Sequence, residues 1–418
     1  MLRRLFEPVD AAPLIYARIV FGACMAIEVF RFFEHGWIAT YFVRPTFFFA
    51  YPGFDWVKPL PGGGMYAVFV VAGLAALGVA ANKLYRVCAI ALAVTWSWIF
   101  LSDQTNYLNH GYLLVLLAWL FAAVPMGRTV PRWAVLLVTG QLALVYFFGA
   151  VAKLDADWFS GDVARFFLSR TELTDPLAHS KLGRVAFAVS GFLFDLLIVP
   201  ALLWRRTRPL ATAAAATFHL TNAWLFQIGV FPWVMLALTP IFYPPDFTRR
   251  LLRLPEAPPP VEPLPYRPLV VAAFVAWFTV QCALPLRHWL YPGQVNWTEE
   301  GHNFSWHMKL RVKRGETKFL VGGVEVDPRE VVTKRQAKKM ATRPEMIRQL
   351  AQELSRRAGG LPVHADARAS LNGRPWQPLV DPAVDLSKEP RTLGAAKWIV
   401  PLADVPPLDD FEDEEGGE

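Results

Sequence analysis

Charge is scarce in this chain. Asp, Glu, Lys and Arg make up 18% of its 418 residues, against about a quarter in an ordinary soluble domain. With 54% hydrophobic residues and a mean hydropathy of +0.30, that shortage excludes a disordered chain, a fibrous protein and a cytosolic enzyme built on ordinary cores. Cysteine is scarcer still. Cys24, Cys88 and Cys282 each lie inside an apolar run, and none stands in a Cys-x-x-Cys spacing. They exclude a disulfide framework and read as small buried hydrophobes. The net charge of +7 is divided among short Lys/Arg clusters that flank apolar runs, which is not the footprint of a nucleic-acid binder. Dinucleotide fingerprints and serine triads are missing, and Pro61-Gly62-Gly63-Gly64 lacks the Lys-Ser/Thr of a phosphate loop. His302 and His307 stand without a third ligand in view, so no metal site is expected.

What the chain has is long apolar runs. Windows of roughly 17–25 residues can cross a bilayer core, and they fall at 13–33, 65–82, 86–102, 111–127, 132–152, 185–204, 209–243 and 268–286. The first run carries Arg18 and Glu28 and lacks a small-residue cleavage site, so it reads as a retained span rather than a signal peptide. The 209–243 window is too long for one crossing and is interrupted at Gln227-Ile228-Gly229-Val230-Phe231-Pro232. Two half-length helices folded as a hairpin are expected, returning to the side of origin. With that return, Arg3/Arg4, Lys83/Arg86, Arg128/Arg132, Arg205/Arg206/Arg208 and Arg249/Arg250/Arg253 all lie on one side, which the positive-inside rule makes cytoplasmic. The loop 103–110 and everything after 287 then lie outside. The expectation is a polytopic α-helical membrane protein of about nine helices, N-terminus in and C-terminus out.

A Pro-rich connector at 254–267 precedes the last span. Residues 1–286 are assigned to the transmembrane domain, 287–400 to a small exoplasmic α+β domain and 401–418 to an acidic disordered tail. In the outer domain, alternation at 304–313 and 317–327 predicts strands, 333–358 predicts one helix, and Val363 to Leu371 predicts a strand ending at the hairpin signal Asn372-Gly373. Asn296-Trp297-Thr298 matches a glycosylation acceptor.

Several polar residues sit where polar groups are expensive. Lys153 ends the run Leu142–Ala152; burial favours a neutral amine able to act as a general base. The alternative is a lysine snorkelling at the membrane edge, paired with Asp155 or Asp157. Asn109 and His110 end the polar loop 103–108; they could orient a polar head group on a lipophilic ligand, or Asn109 could cap the next helix. His219 and Asn222 fall near mid-membrane in the hairpin, as ligand contacts or as an interhelical hydrogen bond. Arg18 and Glu28 read as structural, paired or separate.

At these residues the sequence resembles the vitamin K-dependent γ-carboxylase family, whose membrane part is also called the horizontally transferred transmembrane domain. The resemblance runs through Leu108-Asn109-His110-Gly111-Tyr112-Leu113, Val151 to Trp158, and Phe218-His219-Leu220-Thr221-Asn222 with Leu225 to Pro232. It continues in Asn296-Trp297-Thr298, Phe304-Ser305-Trp306-His307-Met308 and Leu379-Val380-Asp381-Pro382. The chain departs from the animal members at Gly301-His302, where they carry a bulky apolar-aromatic pair, and at Ala152, the first position of their Lys-Lys pair. The resemblance implies that a lysine matching Lys153 deprotonates reduced vitamin K (phylloquinol or menaquinol), with the pair matching Asn109 and His110 assisting. Oxygen then adds, a strongly basic alkoxide removes a γ-proton from a protein glutamate, carbon dioxide traps the carbanion, and the quinone leaves as its epoxide. It implies contacts to the cofactor from His219 and Asn222, and to the glutamyl substrate from Phe304, Ser305 and Trp306. It further implies a glutamate-containing protein partner, no metal, no nucleic acid, and residence in a bacterial inner membrane or, in a eukaryote, the endoplasmic reticulum. The alternatives are a quinol epoxidase without carboxylation, a non-catalytic membrane scaffold and, because of the broken hairpin, a transporter.

Overall fold

In the computed structural model, which describes residues 2–226, 228–256 and 265–408, the apolar runs become helices that stop at punctuation written in the sequence. α1 (Ala12–Glu34), α2 (Gly64–Ala81), α3 (Tyr85–Leu101), α4 (Asn109–Ala123) and α5 (Arg132–Ala152) come first. α1 opens on Pro13, whose missing N–H goes unneeded in a first turn. α2 stops at Asn82, which takes the left-handed conformation at φ 56°. Close approach of α1 and α2 depends on Gly22: a Cβ there would sit 2.7 Å from the Ala76 carbonyl oxygen. Arg18 donates to the Val79 and Ala80 carbonyls, while Glu28 pairs with Arg31 at 2.7 Å, so the two charged residues of α1 serve separate networks. All three cysteines are unpaired and partly buried.

Three short helices, α6 (Ala156–Ser160), α7 (Asp162–Leu168) and α8 (Asp175–Ala178), lead to α9 (Lys181–Leu203), α10 (Arg208–Phe226), α11 (Phe231–Leu238), α12 (Pro245–Leu251) and α13 (Pro268–Leu286). Among the described residues, five helical stretches are long and apolar enough to cross a membrane: Ala12–Glu34, Gly64–Ala81, Arg132–Ala152, Lys181–Leu203 and Pro268–Leu290. Tyr85–Leu101, Asn109–Ala123 and Phe231–Phe242 are apolar but shorter.

The 209–243 window folds back on itself, but unequally. α10 has 19 residues, a rise of about 28 Å, because its Ala-rich stretch offers no break before 227. α11 has 8 residues and runs on into a 3-10 turn at Thr239–Phe242, where Pro240 ends the α-helical bonding. The first limb is thus a long helix rather than a half-length one, although it is not among the five stretches apolar enough to cross. At the tip Gly229 has φ +63°, and a Cβ there would meet the Arg31 guanidinium at 3.1 Å. On the way back the Tyr16 hydroxyl donates to the Ala237 carbonyl at 2.9 Å.

One end of the bundle collects the arginine clusters. β1 (Pro8–Asp10) pairs antiparallel with β2 (Thr129–Pro131), Arg132 donates to Glu7 at 2.5 Å, and Arg249 donates twice to Asp10, at 3.0 and 2.5 Å. The loop 103–108 and Lys153 lie at the other end. There α14 (Val295–Thr298) precedes a four-stranded antiparallel sheet of β3 (Lys313–Val321), β4 (Val324–Val326), β5 (Val363–Leu371) and β6 (Gln377–Pro378), in the order β4-β3-β5-β6. β5 buries Val363, Ala365, Ala367, Ala369 and Leu371 against Met346, Ile347, Leu350 and Leu354 of the covering helix Pro344–Arg357.

Four sequence expectations change here. The strand expected over 317–327 is a hairpin, the end of β3 and all of β4 joined by a turn at Gly322 and Gly323, which take positive φ. The helix expected over 333–358 is two, α15 (Lys334–Met340) and α16 (Pro344–Arg357), because Pro344 forces Arg343 into an extended conformation. Residues 304–312 are turns and irregular chain rather than a strand, with Phe304 and Trp306 at φ 65° and 59°, so β3 starts only at Lys313. Asn296 is buried at 1% exposure, which closes it to glycosylation in the folded chain. The Asn372-Gly373 turn forms with both residues at positive φ. Of the expected tail, residues up to Leu408 are placed, and the Leu408 amide donates to the Gly373 carbonyl at 2.9 Å. Residues 409–418, like 257–264 of the connector and Gln227 of the hairpin, lie outside the described residues.

Candidate functional site

Helical spacing puts Tyr146, Gly149 and Lys153 on one face of α5, Gly191 and Asp195 on one face of α9, and Phe218, His219 and Asn222 on neighbouring positions of α10. These faces enclose a cavity of about 600 Å³. Its walls are chiefly apolar, with Phe187, Phe194, Phe218, Phe226 and Phe231 among them; Lys153, Asp195, His219 and Asn222 supply polar groups.

Lys153 closes the C-terminus of α5 and is 6% exposed. Its Nζ donates to Asp195 Oδ2 at 2.5 Å and to the Gly149 carbonyl at 3.2 Å, and lies 5.5 Å from the centre of the Trp158 indole. Gly149 makes room for this pair, while Gly191 leaves it ordinary contact distance. A Cβ on Gly149 would lie 2.9 Å from Asp195 Oδ2, and one on Gly191 would lie 3.8 Å from Lys153 Cε. The pairing with Asp155 or Asp157 considered above is not formed. Asp155 caps α6, accepting from the Asp157 amide at 2.9 Å. Asp157 accepts from Arg374 at 2.7 and 2.8 Å and from Asn372 at 2.8 Å. The two aspartates fall in the cap and first turn of α6, past the end of α5, and so leave the face of α5 that carries Lys153.

His219 and Asn222 join Lys153 on the same cavity. His219 Nε2 hydrogen-bonds the Tyr146 hydroxyl at 2.8 Å, while its Nδ1 is buried with no protein partner. Asn109 and His110 do not line the cavity. Asn109 does not cap α4; it accepts from the Tyr107 hydroxyl at 3.0 Å and donates to the His307 carbonyl at 2.9 Å. His110 stacks on Phe231, a wall of the cavity, with centroids 5.8 Å apart.

Phe304, Ser305 and Trp306 point into the protein. The Phe304 amide donates to the Tyr107 hydroxyl at 2.5 Å, the Ser305 hydroxyl donates to the Gly301 carbonyl at 2.5 Å, and Trp306, 1% exposed, packs 5.1 Å from Tyr112. They fasten the segment after α14 into the bundle core. Two and three residues later, Met308 and Lys309 reach the cavity. Asp195 and Lys309 are the site residues that sequence reasoning missed. Asp195 had a signal, being an acidic residue inside the apolar run 185–204; Lys309 had none.

No group of three or more His, Cys, Asp or Glu side chains able to hold a metal occurs among the described residues. His307 is held neutral, burial first and then the charges of His288, Arg311, Arg287 and Lys153 pushing it down to about 3.

Residues 6–247 match the family model for the HTTM domain, and residues 266–405 match that for the vitamin K-dependent gamma-carboxylase lumenal domain. No solved structure matches the chain.

Proposed function

Because the chain belongs to the vitamin K-dependent gamma-carboxylase family, we propose that it couples oxidation of a vitamin K-type quinol to carboxylation of protein glutamate, with the Lys153–Asp195 pair as the base that starts the reaction. The observation that carries this reading is a buried amine–carboxyl pair on the wall of an otherwise greasy cavity. The cavity, at about 600 Å³, falls within the usual range for small-molecule sites. Its aromatic walls suit a naphthoquinol ring and a polyisoprenoid or phytyl tail, and its polar groups suit the two ring oxygens. When bound, reduced vitamin K supplies, with oxygen, a base strong enough to take the glutamyl γ-proton, after which carbon dioxide fills the vacated position and the epoxide leaves.

The chain's own residues do the rest. Lys153 and Asp195 together carry no net charge, whether as ammonium and carboxylate or as amine and carboxylic acid. In either form the pair accepts one further proton, which is what a quinol hydroxyl must lose. His219 Nδ1 is available to a second oxygen of the ring, with Tyr146 fixing the imidazole. The apolar walls exclude water, which would quench a strong base. Asn109 and His110 act at one remove, Asn109 holding the His307 backbone and His110 backing Phe231.

The same reading makes the protein a multi-pass membrane protein with the N-terminus cytoplasmic and the sheet domain exoplasmic, since the arginine-rich end is opposite Lys153. The quinol then arrives from the bilayer, and the glutamate-containing protein from the outer aqueous face. The test is an assay of purified protein with reduced vitamin K, oxygen, labelled bicarbonate and a glutamate-containing peptide, wild type beside Lys153→Ala. Epoxide and labelled peptide from wild type alone support the proposal. Equal epoxide from both proteins overturns it, and epoxide without label assigns quinol oxygenation alone.

A further inference from the structure

The fold-back between α10 and α11 supplies one wall of the Lys153 cavity, through Ile228, Phe231 and Met235. Phe231 opens α11 and is the ring on which His110 stacks. Residues 228–230 belong to neither helix. A chain that reverses between two helices has left the hydrogen-bond ladder of both, so nothing regular holds it in place. What fixes this part of the wall has to come from a neighbouring element.

That neighbour is the outer end of α1. Gly229 has φ +63°, and a Cβ there would lie 3.1 Å from Nη1, 3.5 Å from Nη2 and 3.8 Å from Cζ of Arg31. Both Nη atoms are nearer than Cζ, so the guanidinium presents its forked edge to the turn. The fork is itself held. Glu28, one helical turn back, accepts from Nη1 at 2.7 Å, and the centre of the Trp37 ring lies 5.3 Å from Cζ. Trp37 stacks on His35 with centroids 4.5 Å apart, and His35 Nδ1 is hydrogen-bonded to the Arg31 carbonyl at 3.0 Å.

Seating α1 does not require this arrangement. α1 packs on α2 at Gly22, and lower down the Tyr16 hydroxyl already ties α1 to Ala237 on the return limb. The Arg31 and Glu28 side chains are only 25% and 11% exposed, more shielded than the surface pairs that contribute almost nothing. An ionised pair near the end of a span is costly to keep and is commonly functional. The contact that Arg31 makes beyond its own helix end is with the turn that carries the cavity wall.

We infer that Arg31 is a positioning residue for the quinol cavity. Braced by Glu28 and Trp37, it fixes the turn at Gly229 and, through the turn, the places of Ile228 and Phe231 against the ligand. Gly229 is the matching half of the contact: a side chain there would displace the guanidinium and would also strain the backbone at positive φ. The inference rests on the quinol reading above and deepens it, because it puts a determinant of ligand fit on α1, outside the residues that line the cavity.

The experiment is equilibrium binding of oxidised phylloquinone, which cannot start the reaction, to the full chain in lipid nanodiscs. Quenching of tryptophan fluorescence reads it, since Trp158 lines the cavity, and steady-state epoxide formation is measured beside it. The quinone Kd and the quinol KM should each rise about tenfold in Arg31→Met and in Gly229→Ala, the scale of one lost contact that places an apolar wall. At saturating quinol, kcat should fall less than about threefold, because Lys153 and Asp195 stand on other helices. Arg31→Lys keeps the charge for Glu28 but loses the planar fork, and should fall between wild type and Arg31→Met. Arg31→Met combined with Gly229→Ala should still show about tenfold, since both changes break the same contact. Thermal unfolding of each variant checks its fold, and Arg368→Gln, on the exposed side of β5, should leave the Kd unchanged. An unchanged Kd in both single variants overturns the inference. So does a loss of kcat and melting temperature in Arg31→Met without a change in Kd, or a double variant weakened about a hundredfold. If wild type forms epoxide and neither variant moves the Kd, the role of Arg31 falls alone. If the Kd moves as expected while wild type forms no epoxide, Arg31 keeps its role and the carboxylase reading falls.

Discussion

At the residue scale, the pairing of Lys153 with Asp195 bears on stability and on the proposed chemistry, and the two can be separated. A positioned general base contributes about 10²–10⁴-fold, so Lys153→Ala is expected to lower epoxide formation by at least about 100-fold. The same change strands Asp195 as a buried unpartnered carboxyl, and breaking a buried pair costs about 3–5 kcal/mol. Replacing both partners removes that penalty. Lys153→Leu with Asp195→Leu should therefore melt close to wild type while remaining inactive, and thermal unfolding in detergent beside the epoxide assay checks both halves. A double variant that recovers activity would remove the pair from the mechanism. His219 makes a milder prediction. Its Nε2 is held by Tyr146 and its Nδ1 is unmet, so His219→Leu should raise the KM for quinol about tenfold, the loss of one hydrogen bond in an apolar site, with a smaller change in kcat. Steady-state kinetics over a range of quinol concentrations would show an unchanged KM if that imidazole does not meet the ring.

At the scale of elements, the site exists because α5 and α9 meet through small residues. Gly191 leaves ordinary contact distance, 3.4 Å to Trp158 and 3.8 Å to Lys153 Cε, around an added Cβ. Gly191→Ala should therefore keep near-wild-type activity, whereas Gly191→Val puts branched methyls onto the lysine stem and should lower kcat about tenfold or more with the helices intact. Circular dichroism beside the activity assay distinguishes displacement of Lys153 from unfolding. This scale also shows what the sequence could and could not reveal. Helix positions, the fold-back at 228–232 and the β5 strand were legible because each is written in local period and punctuation. The α15–α16 break at Pro344 was equally local and was passed over in favour of the apolar stripe across it. Asp195 was not legible as the partner of Lys153, 42 positions away, since nothing local selects it over Asp155 and Asp157 next door. Nor could alternation at 304–312 show that Phe304 and Trp306 turn inward at positive φ to meet tyrosines of the bundle.

At the scale of the whole molecule, the proposed coupling of quinol oxidation to glutamate carboxylation requires the sheet domain to stay seated on the outer end of the bundle. The seat is polar and specific. Gln336 reaches the Phe47 carbonyl at 2.8 Å, Gln349 donates to the Ala50 carbonyl at 3.1 Å, and Arg374 and Asn372 at the β5 turn close on Asp157. Asp157 and Arg374 are 8% and 14% exposed at their side chains. Burial alone would pull the Asp157 carboxyl up, but hydrogen bonds and charge from Arg374, with Asn372 and Gln294, outweigh it and hold the group below the usual carboxylate range. A value lowered on folding stabilises the seated form fully above the unfolded value of about 3.9, and that contribution is lost as pH falls through the folded value. The seat should therefore hold unchanged between neutral pH and about pH 5 and loosen only in stronger acid. Asp157→Asn should loosen it at neutral pH, by about 3 kcal/mol for a buried pair broken on one side. Hydrogen exchange at residues 371–374 reads this directly, with faster exchange expected in the variant and little effect on α1 and α2. In the carboxylation assay Asp157→Asn should depress labelled peptide more than epoxide, since the cavity of Lys153 is walled chiefly by α5, α9 and α10 while the proposed glutamyl step needs the sheet domain in place. Equal loss of both products would mean that the two steps depend on the seat alike.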